Sequence, residues 1–366
     1  MNDPHEIESP AALLACLEAV GNLRDVVVQG VDLAEVDVDW EVVDVRRAVF
    51  VACPMPSADV AMALTRSGAV VIPDLRDDRP YSVFPSGLYT YEDLVAGGAD
   101  AEIEAWFTRF RHRTGDPQPG QPVEAIAQRL HDTAMSDGIW DLLQPGDGPA
   151  LSAVGVMGGH SVTRADAVYA AVTRLAFALA GAGLLVVTGG GPGVMEAANL
   201  GAYLSGGEEE GIDAALVTLA EAPSVAHPGY GDAAERVHGS LAAGGRSLAI
   251  PTWLYGNEPV GRFASHIAKY FANSIREDGL LRIADAGIVF APGGPGTVQE
   301  VFQDAAINAY AEPADRAPMV FLGAHHFRES GIWELACRVA REREEPFDDL
   351  LLLTDDVAEA VRFVAG

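Results

Sequence analysis

Positive charge is scarce in this chain of 366 residues, which has 24 Lys and Arg residues against 53 Asp and Glu residues and a formal net charge of −29. A negative field of this size repels the phosphates of nucleic acids, so we expect no nucleic-acid polymer among its partners. A small anionic ligand would need a local positive site, which a helix N-terminus together with one Arg can supply.

Lysine occurs once, as Lys269. A P-loop needs a Gly-Lys-Ser/Thr sequence, but Lys269 is followed by Tyr270 and is not preceded by Gly. An enzyme that depends on pyridoxal phosphate needs a lysine for its Schiff base, and here only Lys269 could serve. The lack of lysine therefore argues against both chemistries.

Cysteine is also rare, with isolated residues at Cys16, Cys53 and Cys337. This pattern contains no disulfide framework and no CxxC zinc motif, which suits a reducing compartment. The first residues are acidic and polar, unlike a signal peptide, and no apolar run approaches membrane-spanning length. We therefore expect a cytoplasmic protein that does not bind membranes.

With 49% hydrophobic residues, the chain is long enough for one large or two ordinary domains. Residues 1–145 have the pattern of an α/β block without a catalytic constellation, which predicts an accessory domain. Breaks rich in Pro and Gly at 115–122 and 145–149 flank an amphipathic helix over 123–143. We place the domain boundary at the second break. The apolar strands predicted in the first block are 26–29, 48–52 and 69–72.

Strands alternate with helices over residues 146–366, which predicts a Rossmann-like, doubly wound parallel sheet with helices on both faces. The predicted strands are 154–157, 184–188, 247–251, 288–291, 319–322 and 350–353, and a long helix is expected from about 163 to 182. Three glycine-rich turns follow residues 157, 188 and 291. Ligands bind at the carboxyl ends of the strands in such sheets, so the turns indicate a phosphate or nucleotide site.

The third turn, Pro292-Gly-Gly-Pro-Gly-Thr-Val-Gln-Glu300, joins a buried strand to a helix. Its glycines allow a ligand to approach the backbone, and the helix start attracts anions. Thr297 and Glu300 also fit a capping box, in which each side chain caps the helix end, and this segment alone leaves both interpretations open. The dinucleotide fingerprint GxGxxG is not matched, because Val194 occupies its sixth position counted from Gly189, so NAD is a weak alternative.

The segments Thr188–Asn199 and Pro292–Glu300 resemble the two signatures of the LOG (LONELY GUY) family of nucleoside 5′-monophosphate phosphoribohydrolases. The resemblance covers about residues 150–366. It implies a homodimer or higher homo-oligomer that needs no cofactor or metal. The implied reaction is hydrolysis of the N-glycosidic bond of AMP or of cytokinin-type purine ribotides to free base and ribose 5-phosphate. Members are often mislabelled lysine decarboxylases, a label that the single lysine also opposes.

Carried over position by position, the resemblance implies that Glu300 and Arg276 are catalytic and that Glu258 holds the ribose hydroxyls or the base. The other candidate substrate-binding residues are Gly159, His160, Gly190, Gly191, Glu196, Gly293, Gly294, Gly296 and Thr297. Glu196 in a helix's first turn, His160 in a turn and the turn around Glu258 also have ordinary structural explanations. The pair His325-His326 has no acidic or Cys partner at ligand spacing, so we expect a loop there.

The chain departs from the family pattern at two positions in these motifs. Glu277 stands where the family often has Lys, and Gln299 replaces the first Glu of its usual GTxEE. One extra residue also lies between Arg276 and Pro292. The lost Lys weakens the case for a cytokinin substrate.

Two other functions compete with the hydrolase. One is a non-catalytic carrier of a nucleotide or of a ligand like the molybdenum cofactor. The other is a nucleotide-sensing module that residues 1–145 regulate or assemble. Glu300 together with Arg276 favours the enzyme, because a carrier would not need this pair.

Overall fold

The computed structural model describes residues 5–366, except 74, 76, 77, 113, 114, 116, 118, 119, 147 and 256–258. The chain forms two compact units, Met1–Leu88 with Ala101–Gly138 and Tyr89–Asp100 with Ile139–Gly366. Each unit contains its own parallel sheet. The accessory role of the N-terminal part and the boundary at residue 145 stay predictions.

The first unit is built on four parallel strands in the order β1-β2-β3-β4. Their bounds are β1 His5–Ile7, β2 Val26–Gln29, β3 Val49–Val51 and β4 Val70–Ile72. Helices α1 (Pro10–Val20) and α2 (Ala58–Arg66) connect β1 to β2 and β3 to β4. Val28 pairs with Phe50 in adjacent strands, and both side chains are buried in the core. Strand β1 was not predicted, because only one of its three residues is apolar.

Two longer helices follow, α3 (Ala99–Phe110) and α4 (Pro122–Leu143), after a π-helical turn over Glu92–Ala96.

In the first unit the carboxylate of Glu124 is buried and hydrogen-bonded to several side chains. It accepts hydrogen bonds from Arg79 Nε at 3.0 Å, Tyr81 Oη at 2.9 Å, Trp106 Nε1 at 3.1 Å and Gln128 Nε2 at 2.9 Å. Such saturation is typical of a structural buried acid.

The second unit contains seven parallel strands in the order β11-β10-β9-β5-β6-β7-β8. Their bounds are β5 Ala153–Met157, β6 Leu185–Thr188, β7 Ser247–Ala249, β8 His266–Ile267, β9 Gly287–Phe290, β10 Met319–Leu322 and β11 Leu351–Thr354. The strand order reverses between β5 and β9, which makes the carboxyl ends of these two strands the switch point of the sheet. The predicted α/β, Rossmann-like fold with an additional N-terminal α/β part is confirmed.

Helices flank this sheet. Their bounds are α5 Ala167–Gly181, α6 Val194–Leu204, α7 Gly211–Ala220, α8 Tyr230–His238, α9 Asn273–Arg282, α10 Pro295–Tyr310, α11 Ala324–Glu329, α12 Ile332–Arg341 and α13 Val357–Ala365. Helix α5 begins later than expected, because the carboxylate of Asp166 accepts hydrogen bonds from the backbone and hydroxyl of Thr163 and fixes a turn there. None of the helices in the described ranges combines the length and apolar character that crossing a bilayer would require.

Helices α5 and α6 pack so closely that Gly201 has no room for a side chain. A Cβ built on this residue would lie 2.1 Å from the carbonyl oxygen of Thr173. Gly181, at the end of α5, is exposed and has no atom within 4 Å of the same position. Replacing each glycine by Ala changes helix propensity at both positions but disturbs packing only at Gly201.

We predict that Gly201→Ala lowers the free energy of unfolding by about 1–3 kcal/mol, the usual effect of overpacking. Gly181→Ala, the matched control, should be neutral or stabilise by up to about 1 kcal/mol, because Ala favours a helix over Gly. Denaturant unfolding of both variants measures the difference. Equal effects would show that α5 and α6 do not pack this closely.

Candidate functional site

A cavity of about 580 Å³ opens at the carboxyl ends of β5 and β9, where the strand order reverses. It brings together these predicted residues: Gly159, His160, Arg276, Gly294, Gly296, Thr297 and Glu300. Gly158, Met195, Tyr255, Glu277, Pro295 and Gln299 complete its lining. The switch point of a parallel sheet is the ordinary ligand position in this class of fold.

The N-terminus of α10 points its first amides at this cavity. The helix begins at Pro295 with Gly294 as its N-cap residue, and no described side chain caps it. Thr297 thus lies inside the first turn, so the capping-box interpretation is wrong, because that motif needs Thr at the N-cap itself. Within the described residues, no hydrogen bond uses the backbone N–H of Gly294, Gly296 or Thr297. Free amides and the positive end of a 16-residue helix form an anion site.

The glycines of this turn differ in what surrounds them. A Cβ on Gly294 or Gly296 would meet no atom within 4 Å, so both face open space. A Cβ on Gly293 would lie 2.2 Å from Thr297 Oγ1 and 2.9 Å from the backbone nitrogen of Gly159. Gly293 therefore allows the two turns to pack, whereas Gly294 and Gly296 leave the backbone accessible.

The second glycine-rich turn, residues 189–193, packs against the first and contributes no glycine to the cavity lining. The N–H of Gly190 donates to Thr188 Oγ1 at 3.1 Å, and that of Gly191 to the sulfur of Met195 at 3.4 Å. A Cβ on Gly193 would lie 2.4 Å from the carbonyl oxygen of Gly159. Binding roles for Gly190 and Gly191 stay predictions.

Arg276, on α9, is anchored at the ends of two strands. Its Nε donates to the carbonyl of Ile250 at 2.8 Å, just after β7, and its Nη2 donates to that of Gly189 at 3.3 Å, just after β6. Its Nη1 donates to Glu277 Oε2 at 2.8 Å. The guanidinium is therefore held in place, with its charge at the wall of the cavity.

Glu277 is a site residue that the motif pattern did not identify, since it stood out only as a departure from Lys. The residue is 5% exposed, lines the cavity and is paired with Arg276. Asn273 Nδ2 also lies 3.4 Å from Glu277 Oε2. Glu277 is recognised as a candidate because it and its neighbour Arg276 are both charged and both buried. This burial cannot be seen in the sequence alone.

Glu300 is the acid of the cavity that lacks a fixed partner. It is 9% exposed, and no hydrogen bond from the described residues reaches its carboxyl group. Burial raises the pKa of Glu300 to about 8; the negative charge of Glu277 adds to the effect, and the positive charge of Arg276 opposes it. Glu300 therefore keeps its proton at neutral pH and is able to donate it.

A second buried acid, Asp304, lies one turn further along α10. Its Oδ2 has no hydrogen-bond partner in the described part of the chain. Burial raises the pKa of Asp304 to about 8. Asp304 does not line the cavity, so its protonation affects stability rather than ligand contact.

These two carboxyls predict that stability falls as the pH rises. In the unfolded chain both lose their proton near pH 4, but in the folded protein they keep it to about pH 8. Below pH 4 neither group affects stability. Between these values each lowers the free energy of unfolding by up to about 1.4 kcal/mol per pH unit, and above pH 8 the loss is complete.

Asp304→Asn should make this slope shallower between pH 5 and 8, because the amide has no proton to lose. Urea unfolding at several pH values measures the slope. Asp315→Asn, an exposed acid, is the matched control and should leave it unchanged. An unchanged slope in Asp304→Asn would mean that the carboxyl is ionised in the folded protein.

Glu196 lies elsewhere, in a separate cavity of about 300 Å³ that shares His160 with the first. Its carboxylate accepts hydrogen bonds from Arg164 Nε at 2.9 Å, Arg164 Nη2 at 2.6 Å and Tyr169 Oη at 2.9 Å. The Arg164 guanidinium also lies 3.4 Å from the ring centroid of Tyr230. Glu196 is thus engaged in the protein interior, and its contact with a base stays a prediction.

Two other expectations concern loops. Glu258 lies outside the described residues, although the nearby Tyr255 lines the cavity. His325 and His326, expected in a loop, lie in the short helix α11. This helix follows Gly323 and has only six residues, which is too short to show an apolar periodicity in the sequence.

Comparison with known proteins gives one family match. Residues 151–222 match the model LDcluster4, described as the SLOG cluster4 family. This segment is similar to proteins of the SLOG type. It spans β5, the first two glycine-rich turns and α6, so the resemblance to LOG-type proteins is confirmed there. No curated protein matches the chain.

Solved structures also align with this chain. The molybdenum cofactor binding protein from the phototrophic bacterium Rippkaea orientalis is 15% identical over 59% of this chain and 97% of its own, with a TM-score of 0.37. The molybdenum cofactor carrier protein from Chlamydomonas reinhardtii is 19% identical over 59% of this chain and 99% of its own, with a TM-score of 0.35. At these scores the alignments carry no argument about function.

Proposed function

We propose that this protein hydrolyses the N-glycosidic bond of nucleoside 5′-monophosphates and releases the free base and ribose 5-phosphate. One observation carries the proposal: the uncapped start of α10 and the unpaired acid Glu300 face the same cavity. Gly296 and Glu300 are four residues apart, which is about 6 Å along a helix. This spacing is comparable to the span of one ribose between its 5′-phosphate and its anomeric carbon.

The phosphate binds to the backbone N–H groups of Gly294, Gly296 and Thr297. These amides are free within the described residues, and the helix dipole favours an anion there. A local positive site of this kind allows an anion to bind although the chain as a whole is negatively charged. Arg276 adds its charge at the cavity wall, and His160 stands at the rim.

Glu300 acts beside the anomeric carbon. Cleavage of the glycosidic bond passes through a ribosyl cation with oxocarbenium character, and a carboxyl group can assist it as an acid and then as a base. Glu258 and Glu196 are candidates for contacts to the ribose or the base. Purine nucleotides such as AMP or cytokinin-type ribotides are the proposed substrates, and the proposed active form is a homo-oligomer.

A nucleotide or molybdenum-cofactor carrier would share the phosphate site. It would gain nothing from a buried acid without a partner, since an unpaired buried carboxyl costs stability. Glu300 therefore favours hydrolysis over carriage.

We predict that the protein releases free base from at least one of AMP, GMP, CMP and isopentenyladenosine monophosphate, with chromatography as the measurement. Glu300→Gln should lower kcat by at least about 100-fold, the usual contribution of a general acid or base. The amide keeps the shape of the side chain but has no proton to give. Glu312→Gln, an exposed glutamate just beyond α10, is the matched control and should leave kcat unchanged.

Tight binding of a nucleotide without release of base would contradict hydrolysis and support the carrier. Full activity in Glu300→Gln would contradict the role of this residue. Both results are independent of protein stability, which melting curves of the same samples record.

A second prediction concerns the phosphate. Gly294→Ala and Gly296→Ala should weaken binding of AMP by about tenfold or more, because the methyl group obstructs the amides that bind the phosphate. Neither added Cβ meets another atom, so the free energy of unfolding should change by no more than about 1 kcal/mol, the scale of helix propensity and N-cap preference. Gly293→Ala, the contrasting variant, should instead destabilise the fold.

Calorimetry of AMP and of adenosine separates the phosphate from the rest of the ligand. Adenosine binding should be affected much less than AMP binding. If all three glycine variants bind AMP as the wild-type protein does, the phosphate does not bind at this helix.

A further inference from the structure

Helix α9 presents two consecutive charged residues to the cavity, Arg276 and Glu277, and both are buried. A basic residue at the second position would add positive charge for a phosphate. This chain instead has an acid there, paired with its neighbour at 2.8 Å. The carboxylate of Glu277 therefore has another use than binding an anion.

The first consequence concerns Arg276. Each of its three nitrogens donates a hydrogen bond, to Ile250, to Gly189 and to Glu277. Glu277 also offsets part of the charge of the guanidinium. Arg276 is thus fixed as part of the cavity wall, and the amides of α10 remain to meet the phosphate.

The second consequence concerns Glu300, which shares the cavity with Glu277. Two buried carboxyl groups that line one cavity do not both ionise readily, because their like charges repel. Glu277 is paired with the cation Arg276 and lies within hydrogen-bond distance of a second donor, Asn273. Glu300 has no such partner among the described residues and is the member that retains a proton.

The elements around Glu300 carry other charged groups. From α9 these are Arg276, Glu277 and Asp278, from the turn after β5 His160, and from α10 itself Asp304. Helix α12 also packs against α10 and carries Glu334, Cys337, Arg338 and Arg341, none of which lines the cavity. Asp278 is turned to the exposed Arg282, with Oδ2 2.7 Å from its Nε. Burial is the largest cause of the raised pKa of Glu300, and among the neighbouring acids it is Glu277 whose negative charge raises it further.

We propose that Glu277 is a positioning residue that holds Arg276 in place and keeps Glu300 protonated, so that Glu300 serves as the general acid of the reaction. The proposal rests on the proposed hydrolysis of nucleotides. Glu300 gives its proton to a ring nitrogen of the base as the bond between the anomeric carbon and the base breaks. The bonding electrons leave with the base.

Water then completes the reaction. Its oxygen bonds to the anomeric carbon of the ribosyl cation, and one of its protons passes to the Glu300 carboxylate. The acid is thereby restored, and the products are the free base and ribose 5-phosphate. No other reactant is consumed.

The test measures the titration of Glu300 in the full-length protein without substrate, by carbon NMR of labelled glutamate, with the signal assigned through Glu300→Gln. In Glu277→Gln the titration should move to lower pH by about one unit, because a negative neighbour is lost and Arg276 is left unopposed. Glu277→Asp keeps the charge and should restore the wild-type titration. Asp278→Asn removes an acid from the same helix outside the cavity and should change nothing.

The same variants are then compared in turnover. The loss of kcat at high pH should move to lower pH with the titration of Glu300, while Asp278→Asn keeps the wild-type profile. If Glu277→Gln does not fold, Glu277→Lys is the second variant. It introduces the Lys that the LOG family often has at this position. It should move the titration in the same direction.

Two failures can be told apart. A titration of Glu300 that stays in place in both Glu277→Gln and Glu277→Lys overturns the role of Glu277, even if nucleotides are hydrolysed. Absence of hydrolysis in the wild-type protein overturns the proposed function and the proton transfer with it, even if the titration moves.

Discussion

The turn after β5 is bonded directly to the turn after β9, and the candidate site depends on this contact. The backbone N–H of Gly159 donates to the carbonyl of Pro292 at 3.0 Å, across the point where the strand order reverses. Side chains at Gly158, Gly193 or Gly293 would collide with neighbouring atoms. Small residues therefore bring the turns together, and the start of α10 is fixed beside the cavity with its amides uncovered.

Three buried glutamates differ in whether their carboxyl groups have hydrogen-bond partners. Glu124 in the first unit accepts hydrogen bonds from four side chains, and Glu196 in the second is held by Arg164 and Tyr169. Both carboxylates are satisfied where they are. Glu300 is buried to a similar degree but has no partner among the described residues, and it faces a cavity. A buried acid without a partner lowers stability, so such an acid at a cavity is a stronger indication of function than burial alone.

Much of the fold could be predicted from apolar runs between turns. Strands 26–29 and 319–322 have the predicted bounds, because glycine, proline or a polar residue marks each end of these runs. Strands β1 and β8 have three and two residues, too few for a periodic signal. The capping box failed because the register of a helix start depends on Pro295, which occupies its first position.

The site was only partly predictable. The resemblance to the LOG family singled out Glu300, Arg276, Gly294 and Gly296, and all four line one cavity. Spacing could not tell that Glu196 is bonded to Arg164, 32 residues away in sequence, or that Glu277 turns into the cavity. Such contacts depend on tertiary packing, which local pattern does not contain.

The central claim is that a nucleotide binds with its phosphate at the start of α10 and its anomeric carbon beside residue 300. A crystal structure of the Glu300→Gln variant with AMP tests it most directly, since we expect this variant to bind AMP and to turn it over at least about 100-fold more slowly. The account predicts phosphate oxygens within hydrogen-bond distance of the backbone nitrogens of Gly294 and Gly296, with the side chain at position 300 next to the anomeric carbon. A phosphate bound elsewhere, or a side chain at 300 turned away from the ribose, would contradict it.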